Sequence, residues 1–293
     1  MAGTFQLFVG IVYMILPPVL VPIYVRIVYI FIKHKKYRSL ECYQIMIQVG
    51  LIQIAVGPGI ALYGLIQIIG YDPDGVATVF LRILSSTVRM EAVMSLVLAL
   101  NRLRIICGLR YPQVIHTIIL VIVWVLGVMN YCFLFTPWYG YLVIPGEFLT
   151  KYDTSKPYTV ILQTIGGYTM TVSQSLTLIV YLVIIVYLIR MHCKVTGKNH
   201  SFKEKSILYY AFTRFLVDMA VTIIFNYGHL PHIPSIDFPV FMGYILNNLG
   251  LPPMLYLILY RNLRREFCGR PPLTQALTAI SKYPNPQHSS IRP

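Results

Sequence analysis

The chain has 293 residues, 57% of them hydrophobic and 12% charged, with a formal net charge of +14 and a mean hydropathy of +0.67. Soluble domains carry about 25% charged residues, so the charged side chains here are too few to clothe a water-facing surface, and lipid is the expected solvent. Apolar runs recur along nearly the whole length and leave no room for a separate soluble domain.

Taken in chain order, runs of the roughly 20 apolar residues needed to cross a hydrocarbon core of about 30 Å predict spans at 7–32, 43–69, 77–101, 114–136, 158–189, 206–227 and 237–260. The expected fold class is therefore an all-α membrane protein, a seven-transmembrane helix bundle over 1–265, with a disordered tail over 266–293. The opening MAGTFQLF has no basic n-region, and the first apolar run is too long for a signal h-region, so it reads as the first span. Pro17, Pro18 and Pro22 punctuate that span, Pro58 the second, and Pro252 with Pro253 the seventh. Each removes an amide donor and is expected to bend its helix, which neighbouring helices can absorb.

Orientation follows from where Lys and Arg collect, since short cytosolic loops carry the excess. Lys33, Lys35, Lys36 and Arg38 lie after the first span, and Arg102, Arg104 and Arg110 after the third. Arg190, Lys194, Lys198, Lys203 and Lys205 follow the fifth span, and Arg261, Arg264, Arg265, Arg270, Lys282 and Arg292 the seventh. The opposite face has only Lys151 and Lys156. The N-terminus is thus expected outside and the C-terminus in the cytosol. The positive charge calls for no nucleic acid, because cationic residues at an inner leaflet attract anionic membrane lipid. Arg26, near the inner end of its span, is expected to snorkel without further function.

Of five cysteines, Cys132 lies in a span, while Cys42, Cys107, Cys193 and Cys268 face the reducing side, so no structural disulfide is expected. The sequon Asn199-His200-Ser201 falls in a cytosolic loop and should stay bare. His229 and His232 have a helical metal spacing but no companion Cys or carboxylate pair, and read as loop residues. No cofactor and no metal are expected.

Ionisable groups inside a bilayer are costly and by default face the bundle interior. Arg82, Arg89 and Glu91 stand in the third span, Arg214 and Asp218 in the sixth. Arg214 and Asp218 are four residues apart and share a helix face. They form either a self-contained neutralising pair or a bridge from the sixth span to the third that breaks on activation. Arg82 and Arg89, seven residues apart, point to the same side of their helix. Two aligned guanidinium groups suit a carboxylate or other anionic head group, and pairing with acids or carbonyls within the protein is the alternative.

Several motifs sharpen the reading. The third span ends LVLALNRLRII, and the seventh ends NNLGLPPMLYLILYRNLRREF. Asn101-Arg102 occupies the place where rhodopsin-like G-protein-coupled receptors have an acid, Arg and an aromatic. Pro253 and Tyr256 keep the proline-x-x-tyrosine half of their seventh-span signature, with Pro252 in place of its Asn. Together with GTFQLFVGIVYMILPP in the first span and CYQIMIQVG in the second, LALNR resembles the nematode chemoreceptors, most closely serpentine receptor class T. The likeness runs from Gly3 to about Arg265.

That resemblance implies a chemosensory receptor in the plasma membrane of sensory-neuron cilia. It would bind a small-molecule extracellular ligand through Arg82 and Arg89. It would signal to a heterotrimeric G protein through Asn101, Arg102 and a switch set of Arg214, Asp218, Pro253 and Tyr256. Glu91, eleven residues before Arg102, is turned by the resemblance toward a polar core pocket with Gln53 and Asn248, either holding a cation or itself protonated. RNLRREF reads as an amphipathic eighth helix, which makes Cys268 a palmitoylation candidate. Pairing with a second receptor chain, like or unlike, stays open.

The sequence also departs from the family. No cysteine stands at the outer end of the third span or in the following outer loop, Gln53 replaces a second-span Asp, and the sixth span lacks Trp and Pro. A transporter or channel is the alternative function, although an odd number of spans without a repeat speaks against it. An intramembrane enzyme would need clustered ligands that the scattered histidines do not supply, so no catalytic residue is assigned. The seventh span has no lysine for a retinal.

Overall fold

The computed structural model describes residues 2–112, 114–194, 202–227 and 233–269. Asn199, His229, His232 and the tail beyond Gly269 lie outside the described residues. The elements are α1 (Ala2–Lys33), α2 (Lys35–Arg38), α3 (Glu41–Ile54), α4 (Gly57–Ile69), α5 (Val76–Cys107), α6 (Val114–Phe133), β1 (Tyr141–Leu142) and β2 (Lys151–Tyr152). They continue with α7 (Thr159–Lys194), α8 (Phe202–Tyr227), α9 (Pro234–Ile245), α10 (Leu251–Leu259) and α11 (Arg261–Phe267).

These helices form a seven-column bundle. The second column is α3 with α4, and the seventh is α9 with α10. Among the described residues, six columns are long and apolar enough to cross a membrane. α8 completes the set, packed against α5, α7, α9 and α10. One end of the bundle carries α2 and α11 and is called here the basic end. The other carries the β1–β2 hairpin.

Apolar periodicity explains how the columns sit. On α6 the buried residues are His116, Leu120, Val123, Gly127 and Asn130, alternating four and three apart along one inward stripe. The opposite face bares Ile118, Val121, Ile122, Val125 and Leu126. α7 likewise bares Ile161, Ile165, Val172, Leu176 and Ile179. Apolar stripes this continuous belong against lipid rather than water.

The prolines act unequally. α1 continues as one helix through Pro17, Pro18 and Pro22. The second column breaks at Ala55–Val56, immediately before Gly57 and Pro58. In the seventh column a π turn over Leu246–Gly250 precedes Pro252 and Pro253. Those two rings lack the N–H groups that would bond the carbonyls of Asn248 and Leu249, and a wider turn accommodates the vacant acceptors.

Other boundaries have local causes. At the start of α5, the Asp72 carboxylate accepts from the Ala77 and Thr78 amides at 3.1 and 3.0 Å, capping donors that lack a helical partner. α5 runs past the expected end at residue 101 to Gly108, whose φ of 65° closes it in the left-handed region. α11 covers the expected eighth-helix segment, so a tail boundary at 266 would cut a helix. Arg26 is more than a snorkelling cation: its Nε and a terminal nitrogen donate to the Phe267 carbonyl at 3.1 and 2.7 Å, and its guanidinium lies 5.1 Å from the Phe267 ring centroid.

The interior has two apolar clusters. At the basic end Tyr24, Phe31, Ile45, Met46, Met94, Tyr181 and Tyr256 pack together. At the hairpin end Tyr13, Ile60, Tyr63, Leu81, Phe148 and Phe241 do so. Gln53, Glu91, Asn247 and Asn248 lie close to where the two clusters meet, and all are buried.

The first and second columns approach closely at Gly10 and Gly64. A methyl at Gly64 would stand 2.5 Å from the Gly10 carbonyl oxygen and collide with the Met14 nitrogen, so these backbones meet only because neither residue has a side chain. Gly64→Val should therefore force the columns apart and destabilise the bundle by about 1–3 kcal/mol. A lowered thermal midpoint of the purified protein in lipid nanodiscs checks this, and an unchanged midpoint contradicts the packing.

Candidate functional site

A cavity of about 80 Å³ opens toward the hairpin end. Leu84, Val88, Leu149, Met170 and Phe241 make its apolar wall, and Ser85, Arg89, Thr150, Tyr152, Gln163 and Tyr244 its polar one. Of the two aligned arginines, only Arg89 lines it. Arg89 donates to Tyr152 Oη at 2.9 Å and to Asn130 Oδ1, and Asn130 donates on to Ser86 Oγ at 2.8 Å. Gly166 of α7 lies against the guanidinium, where any side chain would collide with it.

Arg82 sits about two helical turns nearer the hairpin end. Its guanidinium carbon lies 4.5 Å from the Phe135 ring centroid. The two arginines expected to meet one anion thus have different neighbours, the cavity for Arg89 and Phe135 for Arg82. Seven residues rise about 10.5 Å along a helix, at about 1.5 Å each, so the two side chains leave α5 at different depths, and Arg82 stacks on Phe135.

The connection between α6 and α7 forms the cavity's cover. Its strands pair antiparallel, Tyr141 with Tyr152 and Leu142 with Lys151, and the turn between them dips into the bundle so that Phe148 and Leu149 are buried. Tyr63 Oη and Gln67 Nε2 both donate to the Glu147 carbonyl at 2.7 Å. Gln67 Oε1 accepts from the Gly146 amide at 2.8 Å, and Tyr13 Oη donates to the Phe148 carbonyl at 3.2 Å. Side chains of the first two columns therefore pin this segment.

Beyond the shared walls Val88, Met170 and Tyr244 lies a second, polar cavity of about 30 Å³. Glu91, Asp218, Asn247 and Asn248 line it, with Gln174, Thr177 and Thr222. Tyr24 Oη donates to Gln53 Oε1 at 2.6 Å, and Gln53 Nε2 donates to Glu91 Oε1 at 2.8 Å. Arg214 of α8 pairs with the same Glu91 oxygen, while its Nε stands 3.5 Å from Asp218 Oδ2. Asn247 Nδ2 donates to the other Asp218 oxygen. Arg214 and Asp218 therefore do more than neutralise each other: the guanidinium crosses to the third column. The cation beside Glu91 in this structure is a side chain.

Asn248, expected in the same pocket, donates to the Tyr244 carbonyl at 2.8 Å. The side-chain oxygens of Asn247 and Asn248 are buried without a hydrogen bond among the described residues. The π turn carries both residues and presents them to the cavity.

At the basic end, Asn101 Nδ2 donates to Glu41 Oε2 at 2.6 Å. The carboxylate absent from the third column at this level is supplied by the first turn of the second. Arg102 is buried and within electrostatic reach of Tyr181 and Tyr260. Tyr256 is fully buried, its ring centroid 5.3 Å from that of Phe31 and 6.4 Å from that of Tyr24. Pro253 is buried beside the π turn. Cys268 is exposed at the end of α11.

Sequence reading missed Glu41, His116, Asn130, Tyr152 and Gly166. An acid at the very start of an apolar run was the available sign for Glu41. The others carry no local pattern, since their roles arise from contacts between columns.

The chain resembles the crystal structure of squid rhodopsin with a TM-score of 0.72 at 12% sequence identity, over 97% of this chain and 89% of that one. The fold is the rhodopsin-like seven-helix bundle. The sequence matches no protein-family model and no curated protein. With the apolar columns, this fold makes the chain an integral, multi-pass membrane protein.

Gln67 supplies two of the bonds that pin the cover. Gln67→Leu should loosen residues 144–150 by about 1 kcal/mol per lost bond, raising their amide hydrogen exchange on the order of tenfold or more. Exchange unchanged in that segment would show that the apolar contacts of Phe148 suffice.

Proposed function

We propose that the protein is a G-protein-coupled chemosensory receptor of the nematode serpentine type, most like class T. A small extracellular ligand enters the hairpin-end cavity, and its anionic or strongly accepting group meets Arg89. Arg82 contributes through Phe135 rather than by contact. Asn101, Arg102 and the basic end face the cytosol and meet a heterotrimeric G protein. The membrane is the plasma membrane of sensory-neuron cilia.

One observation carries this reading. The ligand cavity and the polar cavity share Val88, Met170 and Tyr244, and across the second cavity Arg214 fastens the sixth column to Glu91 of the third. A ligand that displaces those walls acts directly on the only described ion pair joining these two columns. Breaking a buried pair by removing one partner costs about 3–5 kcal/mol. A bistable bundle can exploit an energy of that size, since a ligand shifts an equilibrium by its differential affinity for the two states. Pro253 and Tyr256 follow the π turn and link the movement of the seventh column to the basic end.

Arg214→Gln and Glu91→Gln should each raise basal second-messenger output in a heterologous cell at matched surface expression. Asp218→Asn, which leaves the Glu91 pair in place, should raise it less. The same cells exposed to a chemical panel should respond through wild type and lose sensitivity, rather than maximal output, in Arg89→Gln. Unchanged basal output in both latch variants would exclude the switch, and a C-terminal tag reachable on intact cells would exclude the orientation.

A further inference from the structure

Of the described residues that line the hairpin-end cavity, Arg89 is the one that is charged. Its hydrogen bonds go to Tyr152 Oη and Asn130 Oδ1, neutral acceptors that occupy two of the five N–H groups an arginine carries. The acid two residues along α5, Glu91, pairs with Arg214, and Glu147 of the cover pairs with Lys151 at 3.1 Å. Among the described residues no carboxylate pairs with Arg89. A guanidinium inside a bundle that meets only neutral oxygens has partners for its hydrogens and none for its charge. The opposite charge has to come from whatever fills the cavity.

The walls narrow the class of that occupant. One planar fork and no second cation match a group that spreads a single negative charge over two coplanar oxygens. A phosphate or sulfate would press further oxygens against Leu84, Val88, Leu149, Met170 and Phe241, where an unmet acceptor is costly. Arg89 is held to Tyr152 of the cover, so the carboxylate belongs on the open side and an apolar tail on the closed side. Size sets the length of that tail. An apolar cavity of about 150 Å³ holds one benzene ring, and this one, at about 80 Å³, encloses roughly half as many carbons.

We infer that the ligand of this cavity is a straight-chain monocarboxylate of about three or four carbons, forked onto Arg89 with its tail against Val88 and Met170. This rests on the reading of the cavity as the ligand site and names the chemical class it takes. Val88 and Met170 also wall the polar cavity, so the tail ends at that partition. Met170, buried there, is the residue that sets chain length: a longer acid has to displace it. Gly166 is the companion requirement, because any side chain there would collide with the Arg89 guanidinium and push the fork out of place.

The test uses the purified full chain in lipid nanodiscs at neutral pH, with sodium chloride holding ionic strength equal, and reads the rise of the thermal midpoint with added ligand. Straight-chain acids from acetate to octanoate are compared with the primary amide of each length. Affinity should climb about fourfold per methylene from acetate to butanoate and fall by hexanoate, and benzoate should not bind. Butanoate should bind on the order of tenfold or more tighter than butanamide, a preference that Arg89→Gln removes. Met170→Ala should move the optimum to longer acids and keep the preference for the carboxylate. The wild-type series needs no variant, so it decides the matter even where a variant fails to fold. Equal affinity for acid and amide, no saturable binding of any acid, or affinity that keeps rising through octanoate overturns the inference. Butanoate that binds without a second-messenger response in cells would count against the receptor and leave the ligand class standing. A neutral compound that signals through a cavity indifferent to acids would do the reverse.

Discussion

Glu91 and Asp218 both reach into an apolar bundle where Arg214 is the guanidinium between them, and the architecture is arranged around neutralising that charge. An isolated ion in such an interior is untenable, so the sixth column has to bring its arginine to the third. Gln53 and Tyr24 extend the network to the second and first columns, and Asn247 ties in the seventh. Five columns thus have their registers fixed at one depth by polar contacts that cannot slide, and the two apolar clusters fill the space on either side.

Backbone irregularities place the donors of this network. A straight helix through Leu246–Gly250 would present adjacent residues 100° apart. The π turn instead sets Asn247 and Asn248 beside the same cavity. The paired prolines that follow make that turn tolerable, because they have no amides to offer the vacated carbonyls. The break before Gly57–Pro58 falls just after Gln53 in the second column. In both columns the defect lies at the polar layer, and the helices on either side are regular.

The columns were readable because lipid imposes a one-dimensional rule: enough consecutive apolar residues to cross it. Charged residues within spans could be singled out for the same reason, and Arg214, Asp218, Glu91 and Gln53 do meet. Sequence spacing fails where partners come from different columns. Arg82 and Arg89 share a side of one helix, yet each has a different aromatic neighbour from beyond α6, Phe135 for one and Tyr152 for the other. His116 looked like one more loop-proximal histidine because its hydrogen-bond partners Glu41 and Tyr111 are 75 and 5 residues away, a separation no periodicity encodes. The hairpin cover was equally illegible, since its anchors are single hydroxyl and amide groups scattered over the first and second columns.

Those anchors give the cover a chemistry of its own. Tyr13, Tyr63 and Gln67 grip peptide carbonyls and an amide, groups that neither oxidant nor reductant alters. The connection from 134 to 158 contains no sulfur atom. Glutathione or dithiothreitol would therefore find no bond in this connection to reduce and would leave it closed. What can open it is competition for hydrogen bonds, so a small solute rich in donors and acceptors is a better key to this surface than any redox agent.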